Sequence, residues 1–91
     1  MKVRWTTPAY QDLRRLHDFL AAASPQAAQR VVDRLNSATR RLLQFPRVGA
    51  RLDQYTPREV RRLIIGDYEL RYEIVGELIY IVRIWHGRED R

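Results

Sequence analysis

The segment Arg58–Arg91, REVRRLIIGDYELRYEIVGELIYIVRIWHGREDR, decides the fold. It reads as three consecutive strands joined by two tight turns. In its middle strand Tyr68, Leu70, Tyr72 and Ile74 alternate with Glu69, Arg71 and Glu73, the period of two that marks a strand with one face buried. Gly66-Asp67 and Gly76-Glu77 bracket that strand, and glycine supplies the positive φ that short hairpin turns require. Residues 59–86 are therefore expected to form an antiparallel meander. The last strand, from Leu78 to Trp85, is apolar on both faces except at Arg83, so that arginine needs a partner.

Upstream, Lys2-Val-Arg-Trp5 alternates polar and apolar residues and predicts a short first strand. Thr7-Pro8 has the form of an N-cap followed by proline at the first helical position. Ala9, Leu13, Leu16 and Leu20 then make one apolar stripe, with Asp12, Arg14, Arg15 and Asp18 placed off it, predicting a helix over 8–22. Ser24-Pro25 repeats the start signal. Ala28, Val31, Leu35, Ala38, Leu42 and Phe45 recur three and four apart up to Pro46, predicting a second helix from Pro25 to about Gln44. So short a link folds the two helices into an antiparallel hairpin, whose apolar stripes need a sheet to cover. Residues 46–57 hold two prolines and a glycine without a period and are read as a loop. The expected class is α+β: strand, helical hairpin, three-stranded meander (β-α-α-β-β-β), with the hairpin on one face of the sheet and residues 1–91 as one domain.

Composition narrows the function. The 91 residues contain no cysteine, which excludes disulfides and thiolate metal sites and makes a reducing compartment the default expectation. No apolar run has the length of a signal peptide or a membrane span, so a cytoplasmic location without membrane contact is expected. Lysine and arginine outnumber aspartate and glutamate 17 to 11, for a formal charge of +6. That excess favours a polyanionic partner, nucleic acid or an acidic protein segment.

The order of elements carries a set of residues that is similar to a known family. An early Trp5, then Ala9 and Asp12-Leu13, Ala27-Ala28, Leu42 with Pro46 and Gly49, Arg58-Glu59, Tyr68, Tyr72 and the closing Ile84-Trp85-His86-Gly87-Arg88 together resemble the RelE/ParE superfamily of bacterial toxin–antitoxin modules. The resemblance implies a small basic toxin held inactive by a cognate antitoxin in a higher-order complex. It implies no cofactor and no metal. It leaves two mechanisms: RelE-like members cut messenger RNA on the ribosome, whereas ParE-like members poison DNA gyrase.

Metal-free RNA cleavage needs activation of the 2′-hydroxyl, stabilisation of the phosphorane charge and protonation of the leaving oxygen. Arg62, Arg83, His86 and Arg88 are the candidates for that chemistry. Against it, Glu69 stands where RelE places an arginine, Val60 falls near one of its paired lysines, and no tyrosine follows Arg88. The reading therefore favours the gyrase poison, with no catalytic residue. Arg14, Arg15, Arg40, Arg41, Arg61, Arg71, Arg88 and Arg91 are the candidate contacts for target or antitoxin. Arg83 is expected to pair with a carboxylate on the sheet such as Glu59, Glu69 or Glu73, the alternative being that it lines an open groove, and the antitoxin to fill an apolar groove between hairpin and sheet.

Overall fold

The computed structural model describes residues 1–88. Along the chain run β1 (Lys2–Trp5), α1 (Thr7–Ala21), α2 (Pro25–Gln44), β2 (Ala50–Arg51), a 3-10 turn (Asp53–Tyr55), β3 (Glu59–Ile65), β4 (Tyr68–Val75) and β5 (Leu78–His86). The strands form one mixed sheet in the order β1-β5-β4-β3-β2. The meander is antiparallel, as its turn signals require, with both turn glycines at positive φ. β1 lies parallel to β5, Val3 opposite Ile79 and Trp5 opposite Ile81.

The predicted loop over 46–57 holds more structure than its sequence suggested. Ala50 and Arg51 pair with Arg62 and Arg61 as a two-residue edge strand, and Asp53–Tyr55 make a 3-10 turn. Two residues are too few to show a period of two, which is why the pairing was illegible.

The start of α1 also differs by one residue. Thr6, not Thr7, is the N-cap, leaving Thr7 and Pro8 inside the first turn. Its hydroxyl accepts from the Ala9 N–H at 3.2 Å and lies 2.9 Å from the Ile81 carbonyl oxygen, to which it donates. One side chain thus fixes both the helix start and its place on β5. Ser24 caps α2 in the expected way, accepting from the Ala27 N–H.

The core lies between hairpin and sheet. Leu35 and Leu42 of α2 and Ala9 and Leu16 of α1 meet Tyr68, Leu70, Tyr72 and Ile74 of β4 and Ile79, Ile81 and Ile84 of β5. The spacing 79, 81, 84 breaks strict alternation. The register supplies the reason: Arg71 faces Arg83 but Tyr72 faces Ile81, so Val82 is an extra residue in β5. This β-bulge lets all three isoleucines point inward. Among the described residues no α-helix covers the other face of the sheet, which bears Arg62, Glu69, Arg71, Glu73, Arg83 and Trp85.

Candidate functional site

Three groups of polar or exposed side chains surround this core. The first covers the helix-free face. Glu69 is buried there, with Arg71 Nε donating to it at 2.9 Å and the Arg62 guanidinium at ion-pair distance, 3.9 Å, without a hydrogen bond. Arg71 also donates to the Tyr55 hydroxyl at 3.1 Å. Arg58 donates twice to Glu73 at 2.9 Å, and these bonds, with the arginine charge, hold the Glu73 carboxyl below its ordinary pKa. Trp85 lies beneath two guanidinium groups, Arg71 at 4.7 Å and Arg83 at 5.1 Å from its ring centre, a cation–π arrangement.

Arg83 does not pair with any of the three glutamates expected from the sequence. Its partner is Asp12 of α1, at 2.7 and 3.1 Å. The same carboxylate accepts from the Ile84 N–H at 2.9 Å. β1 pairs only with Leu78–Ile81, so beyond Ile81 α1 takes over that edge of β5 and Asp12 serves as its acceptor. Burial pushes the Asp12 carboxyl up, but the bonds from Arg83 and Ile84, the Arg83 charge and the bond from Arg15 outweigh it, so its pKa is lowered. Placing Asp12 off the apolar stripe missed this. Its helical angle lies close to that of Leu16, a weak signal of burial.

A second cluster joins the 45–51 turn to β3 and β4. The Tyr72 hydroxyl donates to the Pro46 carbonyl at 2.7 Å and accepts from the Gly49 N–H at 2.9 Å. Burial raises the Tyr72 pKa and keeps the hydroxyl protonated. A Cβ on Gly49 would stand 2.6 Å from the Arg62 carbonyl oxygen and 2.8 Å from the Tyr72 hydroxyl. Only glycine fits there. Arg61, one of the candidate contacts, faces away from Arg62 and Arg71: it sits opposite Tyr72 and donates to the Gly49 and Arg47 carbonyls. Arg47 and Arg61 both bind Glu59 at 2.9 Å and depress its pKa.

The third group is a groove of about 480 Å³ between the C-terminal half of α1 and the end of the sheet, lined by Arg15, Leu16, Phe19, Leu20, Tyr68, His86 and Arg88. Phe19 is 79% exposed at its rim. The His86 ring meets the Tyr68 ring edge to face at 5.3 Å, and His86 Nδ1 accepts from the Arg88 N–H at 3.1 Å.

The predicted site residues are thus divided. Arg62 and Arg83 stand on the helix-free face, whereas His86 and Arg88 line the groove on the helical side. Of the contact candidates, Arg15 and Arg88 meet at the groove and Arg14 is exposed elsewhere on α1. Arg40 and Arg41 lie exposed on α2, and Arg61 and Arg71 are half-buried in the clusters described. Arg91 lies outside the described residues. Among the described residues no three histidine, cysteine or acidic side chains group as metal ligands, and no helix is long and apolar enough to cross a membrane.

A leading strand, a helical hairpin and a meander, with a groove left open where hairpin meets sheet, are the architecture of the RelE/ParE class of toxins. The chain belongs to the ParE toxin family of type II toxin-antitoxin systems (parDE), whose profile matches residues 3–91. It is 39% identical over 86 residues to Toxin RelE2 of Caulobacter vibrioides, covering 94% of both chains. To Toxin RelE1 of the same organism it is 34% identical over 85 residues, covering 91% of this chain and 89% of that one. A solved structure of the chromosomal ParDE system from P. aeruginosa superposes with a TM-score of 0.78 at 26% identity, covering 94% of this chain and 95% of that one. The protein is accordingly the toxin of a type II module, and an antitoxin is its partner.

Proposed function

We propose that this toxin arrests growth by binding and trapping DNA gyrase, acting in the cytoplasm as one domain and without catalytic chemistry of its own. The observation that carries this reading is the division of the nuclease candidates. Arg62 and Arg83 lie on one face of the sheet, each beside a carboxylate, Glu69 at 3.9 Å and Asp12 at 2.7 Å. His86 and Arg88 open onto the groove on the other face. General acid–base cleavage needs these groups within hydrogen-bond reach of one phosphodiester, and side chains directed to opposite faces of the sheet are poorly placed for that. The anionic partners of Arg62 and Arg83 also weaken any attraction to a phosphate.

The groove is suited to the antitoxin. Its apolar lining, exposed Phe19 and cationic Arg15 and Arg88 match an amphipathic segment that folds as it binds, apolar on one side and acidic on the other. Phe19 supplies the aromatic anchor typical of such contacts.

Inducible expression in bacteria with two readouts from one culture tests the mechanism. Gyrase-linked DNA cleavage with intact messages is the expected result. Codon-phased messenger cuts that vanish in His86→Ala or Arg88→Ala, without DNA damage, would establish the ribosome-dependent ribonuclease instead.

A further inference from the structure

β3 lacks a strand partner over its second half. On the side away from β4 it pairs with β2 at Arg61 and Arg62, and Leu63, Ile64 and Ile65 lie beyond that pairing. β2 does not continue toward them because the chain before Ala50 turns in beneath the sheet, where the Gly49 N–H donates to the Tyr72 hydroxyl. Backbone groups along an antiparallel strand turn alternately to its two edges. The Val60 carbonyl accepts from the Leu52 N–H at 2.9 Å on the β2 side, so Ile64, four residues on, directs its own N–H and C=O to that same edge. The neighbouring strand agrees. The Asp67 carbonyl accepts from the Gly87 N–H at 2.6 Å, so Glu69, which stands opposite Ile64, likewise turns its backbone to β5. Among the described residues no hydrogen bond reaches Ile64 from the open side.

This open edge is not blunted. Ile64 is 59% exposed, whereas edges that stay unpaired carry charges, proline or a bulge. The opposite edge of the sheet, β1, has such charges in Lys2 and Arg4. Beside Ile64 a mostly apolar cleft of about 460 Å³ runs between β3 and α2, walled by Leu63, Ile65 and Ala38, with Arg34 and Arg41 exposed at its rim. Neither arginine has a carboxylate within ion-pair distance among the described residues, and Asp33, also at the rim, accepts from Gln29. The cleft also connects to the groove beside α1. A hollow of about 200 Å³ at the β3–β4 turn shares Ile64 and Gly66 with the cleft, and Tyr68, His86 and Arg88 with the groove. The three form one track around the turn.

We propose that the antitoxin segment seated in the α1 groove continues past the β3–β4 turn and adds a short strand to β3 at Ile64, in the lane that β2 leaves. The partner's identity rests on the groove reading given above; the strand site rests on the edge itself. The open backbone selects a polypeptide, because a second peptide chain presents the C=O and N–H that pair with those of Ile64. The cleft walls select apolar side chains on the strand face turned toward α2, and Arg34 and Arg41 select carboxylates beside them. A second copy of this chain fits less well. Pairing β3 with its own mate would set two copies of Arg34 and Arg41 side by side without counter-charge.

Amide hydrogen exchange of the isotope-labelled full chain, alone and saturated with its cognate antitoxin, tests this. The Ile64 amide should exchange freely in the toxin alone and slow at least about tenfold in the complex. The Leu63 amide, turned to β4, should be protected in both. Arg34→Glu/Arg41→Glu should weaken binding at least about tenfold, and Lys2→Glu/Arg4→Glu, the same charge change at the far edge, less than about twofold at physiological salt. Thermal melts of each variant confirm folding. An Ile64 amide that still exchanges freely in the saturated complex overturns the added strand. An equal or larger loss in the Lys2/Arg4 variant overturns it in favour of the opposite edge, and protection in the toxin alone that grows with concentration overturns it in favour of self-pairing. Phe19→Glu separates this idea from the groove. If that variant binds weakly while wild-type Ile64 stays unprotected, the groove stands and the strand falls; a protected Ile64 with unchanged Phe19→Glu affinity keeps the strand site and removes the groove.

Discussion

Asp12 and Arg83, 71 positions apart, meet at 2.7 Å where α1 replaces β1 along the edge of β5. The Asp12 carboxylate is almost fully buried, whereas Arg83 is 42% exposed and lies against Trp85. The pair joins helix to sheet, and its acidic member also satisfies the Ile84 N–H.

Asp12→Ala should therefore destabilise the protein by about 2 kcal/mol. The lost acceptor for a buried N–H dominates, and the ion-pair contribution is discounted because water reaches Arg83. Urea unfolding measures it. A midpoint within 0.2 M of wild type, at unchanged slope, would rule out this role for the carboxylate.

Tyr72→Phe removes a hydroxyl that bridges Pro46 and Gly49 inside the fold. Leaving the Gly49 N–H unpaired should cost about 2 kcal/mol. Gly49→Ala should cost a comparable amount by a different route, since its Cβ meets the Arg62 backbone, which cannot turn aside. The double variant should cost less than the sum, because both changes disturb the same contact. Full additivity in denaturant melts would show that the two sites are independent.

Stability should fall with acid. Asp12, Glu59 and Glu73 all have folded-state pKa values below their ordinary values of 3.8, 4.5 and 4.5. The unfolded chain then binds protons first, so their contribution is complete above about pH 5 and is lost as pH falls through 4 and below. Arg58→Gln removes the cation that depresses Glu73 and should make this acid dependence shallower. Melting temperatures from pH 7 to 3 give the test, and identical slopes for variant and wild type would contradict it.

Phe19→Glu should leave the melting temperature within about 2 °C of wild type, because the ring is largely in solvent. It should weaken antitoxin binding at least about tenfold, the scale of a lost aromatic anchor. Calorimetric titration with the cognate antitoxin decides this. Unchanged affinity would move the antitoxin away from the groove.

The meander, the helical hairpin and most of the core were legible because each carries its own period. Alternation from Tyr68 to Ile74 and the three-and-four spacing from Ala28 to Leu42 need no knowledge of distant residues. The bulge at Val82 could be seen only once β4 gave β5 its register. The partner of Arg83 was hidden in the same way. Every nearby carboxylate on the sheet was a reasonable guess until the packing angle of α1 placed Asp12 over the edge of β5.

By itself the sequence determined the fold class, the order of the two helices and the four longer strands, the basic excess and the resemblance that led to the family, since these depend on local periodicity, turn chemistry and composition. Tertiary structure alone decided which charges cancel and which face what. It put Arg62 and Arg83 on one face of the sheet and His86 and Arg88 on the other, and matched Arg58, Arg61, Arg62, Arg71 and Arg83 with carboxylates. Ion pairing and surface charge depend on distances across the fold, and a chain of residues does not contain those distances until it packs.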